Sequence, residues 1–565
     1  MKSVVLGVVL CVIPPAFSQF KESIEVALVS VPVYVSVHNE PVRGLTREDF
    51  ELLVNGKPQE IEYFDVTEFV SPGEAGKPTS SLVMAAPEVA EPAVAAPGVA
   101  VTAAPALREI ARNPLRERRL YMLVFDQALS SLAERARSRK AAALFVSQAA
   151  PSDFFALATF TATGGVQVLL PFTNDREVTR RAIEKSSISR RDPLHLTLSE
   201  SERSPVVPPV ETAAASGSDA QNSIADPTAA PDMVMQPYYD LGINLMDGLG
   251  QVARQMAPLD GFKHVVFLGT VIPMRRDERL DLMTLRAAFQ GAGVYLDTID
   301  LAGLRPGYDV MKNIGEANMI EPAFSDPLAR STRRAAAVMG GDPLAPNPLL
   351  SVSGALSNAA VHNGPANPSL GEISDTTGGQ WMHNQSPAKG LQNLSRSQQI
   401  VYTLSFRPHD LLAHNTVSVR VHRLPPHAAV RYRQGYSSQQ ANMTDNPLHL
   451  ADIIINDTPQ SGTAVAIHTT PVRGGAAIQV QVPLRLLAAQ VPADTDARVM
   501  FYVFNDTGAV AYGQQNVHFG PDSKSDAVIR HVFKLAPGHY VAKAVLRLGN
   551  SPSVGFTREP FVVGK

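Results

Sequence analysis

The segment that most constrains the fold is Arg119-Leu-Tyr-Met-Leu-Val-Phe-Asp126, an unbroken apolar run between two charges. No polar residue alternates within it, so the strand it predicts is buried on both faces, as in a parallel sheet covered by helices. The small polar residues Ser130 and Ser131 follow, and an amphipathic helical pattern then runs from about Leu132 to Ala149. Functional groups of such sheets lie at the carboxyl ends of the strands. Asp126 therefore marks the place where a ligand or metal site is to be sought.

The strand-helix alternation continues. Strands are expected at 119–126, 154–161, 165–171, 262–269 and 293–299, and helices at 131–149, 174–186, 238–257 and 279–291. This is the signature of an α/β layer fold with a mainly parallel sheet. Gly164-Gly165 predicts a hairpin, which makes one strand antiparallel. Two stretches rich in Ser, Pro, Ala and Asp, about 187–236 and 306–366, read as disordered surface insertions, the second with a helical piece around Ser331 to Met339. The pattern resumes at Leu370 to Thr376. It closes with Ile400 to Phe406 and two β segments, Thr416 to Val421 and Ala429 to Tyr436, which assigns 116–440 to the α/β domain.

The flanks are different. Residues 19–68 read as a small β-rich unit, with alternating valines from Val26 to Val37 and an Asn55-Gly56 hairpin signal. Residues 69–115 are Ala/Pro-rich and read as a linker. Residues 445–565 read as all-β, with runs at Ala464–Thr469, Ala477–Val482, Ala497–Phe504, Val528–Leu535 and Tyr540–Leu546. Their spacing suits an Ig-like β-sandwich.

Lys2, the apolar run Val4 to Ile13 and the small-x-small step Ala16-Phe17-Ser18 read as a signal peptide over 1–18. The expected location is secreted, periplasmic or cell envelope. The single cysteine, Cys11, lies inside that leader, so disulfides and thiolate chemistry are not expected in the mature chain. A net charge of −3 gives no basic excess for phosphate backbones, so nucleic acid is not an expected partner. No later apolar run approaches the ~20 residues that span a bilayer, so no transmembrane segment is expected after cleavage.

Several short segments carry a resemblance by their joint order. They are Val42-Arg43-Gly44-Leu45-Thr46-Arg47-Glu48-Asp49-Phe50 with Asn55-Gly56-Lys57-Pro58-Gln59, Pro151-Ser152-Asp153, Phe172-Thr173-Asn174-Asp175 and Gly261-Phe262-Lys263-His264-Val265-Val266-Phe267. Further on come Val294-Tyr295 through Asp300-Leu301-Ala302-Gly303-Leu304, Thr376-Thr377-Gly378-Gly379 and Arg431-Tyr432-Arg433-Gln434-Gly435-Tyr436. Over residues 20–440 the chain resembles the secreted bacterial VWFA-related proteins, which contain a von Willebrand factor A (VWA) domain. The resemblance implies a multidomain α/β plus β protein. A VWA-like, Rossmann-type α/β domain would be flanked by the small N-terminal β unit and the C-terminal Ig-like β-sandwich.

Such domains can hold Mg²⁺ through a D-x-S-x-S loop, a Thr on a second loop and an Asp on a third. Hard oxygen ligands suit that ion. Here Asp126 and Ser130 match, but Ala128 replaces the first Ser. The Thr position aligns with Ile243 and the Asp position with Gly269 or Thr270. The expectation is a degenerate site at Asp126 and Ser130 that binds no cofactor, with Asp126 capping the helix or fixing its loop. Asp297 and Asp300 are expected to be turn and cap residues.

Other motifs are weaker. Gly248-Leu-Gly250-Gln-Val-Ala253 lies inside a helical pattern and follows no strand, so it is helix packing rather than a dinucleotide turn. Ser386-Pro-Ala-Lys389 has the S-x-x-K spacing, but its proline at the second position and the lack of a helix argue against an acyl-enzyme, and Trp381 reads as strand packing. The reading is a non-enzymatic protein that binds a protein partner or mediates adhesion through the sheet-edge loops, with Asp126, Ser130, Ser131 and Thr270 as contact residues. The alternatives are a structural envelope spacer and a hydrolase using Asp126 and Asp300.

Overall fold

The computed structural model describes residues 28–69, 117–186, 231–270, 272, 279–301, 370–408, 414–437, 446–460, 462–484, 495–520, 526–549 and 554–564. The signal peptide, the expected Ser331–Met339 helix and nearly all of the linker and insertions lie outside these residues.

The valine alternation of the N-terminus becomes β1 (Val29–Val37), followed by β2 (Glu40–Pro41), β3 (Phe50–Val54), β4 (Lys57–Gln59) and β5 (Tyr63–Glu68). Between β2 and β3, Asp49 accepts from the backbone and hydroxyl of Thr46 and fixes a 3-10 turn.

The chain then builds its parallel layer. The elements are β6 (Arg119–Asp126), α1 (Leu132–Gln148), β7 (Asp153–Thr161), β8 (Gly165–Thr173), α2 (Arg176–Lys185) and α3 (Pro231–Met256). They continue with β9 (Phe262–Gly269), α4 (Arg279–Ala292), β10 (Val294–Asp300), α5 (Leu370–Thr377), β11 (Trp381–Met382) and α6 (Pro387–Ser397). The sheet order is β11-β10-β9-β6-β7-β8, with β8 antiparallel to β7 and the other pairs parallel. The physical reason for the apolar run is now visible. Leu120, Met122 and Val124 pack toward α3, α4 and α5, and Tyr121, Leu123 and Phe125 toward α1, α2 and α6. Helix α3 begins at Pro231, inside the stretch expected to be an insertion. Proline suits the first helical turn, where its missing N–H has no intrahelical acceptor to lose.

The next strands correct the expected boundary of the α/β domain. They are β12 (Ile400–Phe406), β13 (Asn415–Val421), β14 (Ala428–Tyr432) and β15 (Gly435–Tyr436). None of them joins the parallel sheet. They return to the N-terminal unit as β14-β1-β12-β5 and β15-β13-β3-β4, two sheets that share one apolar core. Val31 and Val33 lie across from Leu404 and Tyr402, and Leu52 lies across from Val419. The N-terminal segment cannot bury its valines alone, and only pairing with strands more than 300 positions away completes it. Part of the outer face of β1 and β12 is buried as well, because Tyr34 and Val401 pack against Phe262 and Tyr295.

The C-terminal region was expected to be all-β, but it begins with α7 (Pro447–Asn456), capped by Asn446. This helix inserts Leu448 into the core of the α/β layer and Ile453 and Ile454 under the C-terminal sheet. Arg118 and Asp452 lock it with two buried 2.8 Å hydrogen bonds. The rest comprises β16 (Ala466–Val472), β17 (Gly475–Val482), β18 (Thr495–Asn505), β19 (Gly508–Phe519), β20 (Ala527–Lys534), β21 (Gly538–Leu548) and β22 (Val554–Val563). These form antiparallel sheets β16-β17-β20 and β19-β18-β21-β22 around one core. Strands β19 and β22 are the edges of their sheet and were missed in the sequence. The first is polar through Gln514, Gln515 and Asn516, and the second contains Pro560, which edge strands tolerate.

Candidate functional site at the carboxyl edge of the parallel sheet

The strand order reverses direction between β6 and β9, so the crevice at their carboxyl ends is the place where ligands bind in sheets of this kind. Asp126 ends β6 there and is 1% exposed. Its Oδ1 accepts from the backbone N–H groups of Ala128 (3.0 Å) and Leu129 (2.9 Å), and its Oδ2 accepts from Ser130 Oγ (2.6 Å). Burial raises the pKa of this carboxyl, opposed by those hydrogen bonds and by Arg135. Asp126 is thus a loop brace. The helix cap is Ser131, whose side chain accepts from Glu134 N while Glu134 accepts from Ser131 N (2.8 Å). Arg135 Nε donates to Ser130 O at 2.7 Å and closes the turn.

The other expected positions are less convergent. Thr270 is half-buried just beyond β9. Ile243 and Ala128 pack against the core. At Gly269 a Cβ would lie 2.4 Å from the Phe267 ring, so the backbone there admits no aspartate without displacing that ring. The indentation beside Asp126, lined by Gln127, Arg135 and Ser186, has no room for a water molecule. A divalent ion needs several free oxygens, whereas here the one carboxylate gives both of its oxygens to its own loop. The donor set does not fit Mg²⁺. Among the described residues no group of three or more His, Cys, Asp or Glu side chains could hold a metal.

Asp300 ends β10 and is half-buried, but Asp297 corrects the expectation of a turn residue. It lies inside the strand, 1% exposed, as the centre of a polar network. Its Oδ1 accepts from Gln380 N (2.8 Å) and its Oδ2 from Gln398 Nε2 (3.0 Å), with His264 Nδ1 at 2.8 Å from the same Oδ2. Tyr34 Oη lies 2.9 Å from His264 Nε2. With Nδ1–H donated to Asp297, Nε2 accepts from Tyr34. The pKa of the Tyr34 hydroxyl is raised well above its usual value, chiefly by burial. Tyr121 Oη donates to Gln398 Oε1, and Arg119 makes a bidentate pair with Asp153 (2.7 and 2.8 Å) while stacking on Phe69.

This line of Tyr, His and Asp has the residue types of a proton relay. His264 is 0% exposed, however, and no substrate can reach it. Its effect is to join the N-terminal sandwich, through Tyr34, to the parallel sheet. Sequence reasoning missed the network. The available signal was the pair of opposite charges, Arg119 and Asp153, at the starts of neighbouring apolar strands.

No protein-family model matches the chain, and no curated protein matches it in sequence. Among solved structures it is similar to an aerotolerance-related membrane protein from Bacteroides fragilis carrying multiple mutations to serine. The identity is 13% and the TM-score 0.23, over 49% of this chain and 97% of that one. It is also similar to the conserved hypothetical protein BatB from Bacteroides thetaiotaomicron, at 12% identity and TM-score 0.24, over 49% and 96%. A third similarity, to the chicken interferon gamma receptor alpha chain, has 7% identity and TM-score 0.14, over 29% and 73%. At these scores none of the three carries weight for fold or function.

Proposed function

We propose that the chain is a secreted, non-enzymatic envelope protein with a VWA-like domain and an Ig-like C-terminal sandwich, binding a protein partner without a metal. The observation that carries the reading is the sheet itself. Numbered along the chain, its strands run in the order 3-2-1-4-5-6 of doubly wound folds, with the third antiparallel and Asp126 at the end of the first. The switch-point loops then form the contact surface. Asp126 and Ser130 fix the loop from within, while the exposed Ser131 and half-buried Thr270 stand at its surface. Among the described residues no helix is long and apolar enough to cross a membrane.

The test is capture from envelope extracts with the mature chain, with Ser131→Arg and Thr270→Arg as comparisons. The expected result is a discrete protein retained by the wild type in the presence of EDTA and lost with both variants. Equal retention by all three proteins, or retention only with Mg²⁺, would sink the reading.

A further inference from the structure

The amino edge of the parallel sheet faces the outer surface of β1, β12 and β5 across a cleft of about 380 Å³. This volume falls within the range of small-molecule sites, about 300–1,000 Å³. Its charges are segregated. Glu117 and Asp260 are exposed at the rim, with Asp65 half-buried on β5. Lys263 and Arg433 meet over Gly293, where a Cβ would lie 3.1 Å from Arg433 Nη1 and 3.7 Å from Lys263 Cε. Among the described residues neither cation is paired with a carboxylate. Lys263 Nζ donates to Ala257 O (2.8 Å), and Arg433 donates to Gln290 O and Ser30 O. Arg433 Nε is buried and has no hydrogen-bond acceptor. The hydroxyls of Thr403 and Ser405 line the opposite wall.

We propose that this cleft is a binding site for a small monocarboxylate, held by Lys263 and Arg433 with its polar remainder against the hydroxyl face of the sandwich. The three carboxylates around the cleft disfavour a dianion such as phosphate and tolerate a ligand whose far end is neutral or cationic. Burial, together with Arg433 and Arg118, pushes the Lys263 ammonium down to about 7, against the pull of Asp260. A bound carboxylate stabilises the charged amine, so affinity falls as pH rises through about 7, with Asp65, Glu117, Tyr63 and Tyr295 the other titratable groups facing the site.

The experiment is NMR of the ¹³C-dimethylated full chain, with the Lys263 signal assigned by its absence in Lys263→Arg. It is titrated with pH in sodium chloride, acetate and phosphate at matched ionic strength. The expected result is a Lys263 midpoint moved up in acetate, and less in phosphate, by an amount that shrinks when Arg433 is changed to Gln. In parallel, acetate raises the thermal midpoint of the wild type but not that of a folded Lys263→Met variant. Identical Lys263 titrations in the three salts, or equal stabilisation of the wild type and Lys263→Met by acetate, overturn the proposal.

Discussion

If Asp126 braces its loop rather than ligating a metal, Asp126→Ala and Asp126→Asn must behave differently. The alanine removes three acceptor contacts at once. Ser130 is 2% exposed, so its hydroxyl is left without a partner, while the half-buried N–H groups of Ala128 and Leu129 recover part of their loss in water. One bond to a charged acceptor is worth about 1.5–3 kcal/mol and a partly rehydrated N–H less, so the loss is about 2–4 kcal/mol. For a unit of this size that corresponds to a fall of roughly 4–16 °C in thermal midpoint. Asparagine keeps an oxygen for the two N–H groups, and its amide can donate to Ser130 Oγ. Burial raises the carboxyl pKa, so the folded state holds the proton more tightly than the unfolded state. Stability from this group therefore declines as pH rises through the folded pKa. Asp126→Asn is expected to match the wild type near neutral pH and to lose that slope. The single tryptophan, Trp381 on β11, gives a fluorescence signal local to this sheet. A shift below about 2 °C for Asp126→Ala would refute the brace. So would Mg²⁺ stabilising the wild type but not the asparagine variant.

Three further outcomes are expected. Asp153→Ala leaves Arg119, itself 0% exposed, as an unpaired buried charge, a loss of about 3–5 kcal/mol. The double variant Arg119→Met/Asp153→Leu should melt above Asp153→Ala, and equal melting of the two would contradict the pair's burial. Gly379→Ala would put a Cβ 2.1 Å from Leu296 O and should yield little folded protein, whereas Gly56→Ala, with open space at its Cβ, should cost only its positive-φ strain. Soluble yields after parallel expression distinguish the two. The pKa of His449 is lowered mainly by burial, so the unfolded chain takes its proton first. Stability should then fall as pH drops below about 6.5. His449→Gln should flatten that part of a urea-midpoint profile against pH, and an unchanged slope would remove His449 as the cause.

Much of the parallel layer was legible because burial on both faces leaves a mark in one dimension. Arg119–Asp126 and Phe262–Gly269 are strands at the expected residues, and Gly164-Gly165 makes the expected hairpin. Asp126 was legible as the end of the first strand, and its alternative role as a loop brace was legible from the missing ligand positions. What failed depended on distant partners. The valines of β1 announce a strand but not that β12 and β14 will flank it. Helix α7 carries a cap, Asn446-Pro447, that was overlooked among the β signals around it.

The polar network was invisible for the same reason. Tyr34, His264, Asp297 and Gln398 become partners only where two layers close on one another. The cleft arises from that closure too, since Lys263 and Arg433 meet over Gly293 only in the folded chain. The sequence by itself determined the local periods, the turns and the apolar strand that ends on Asp126. Tertiary structure alone decided which charges are paired, which are sealed away and which face a cavity, because those depend on contacts between residues far apart in the chain.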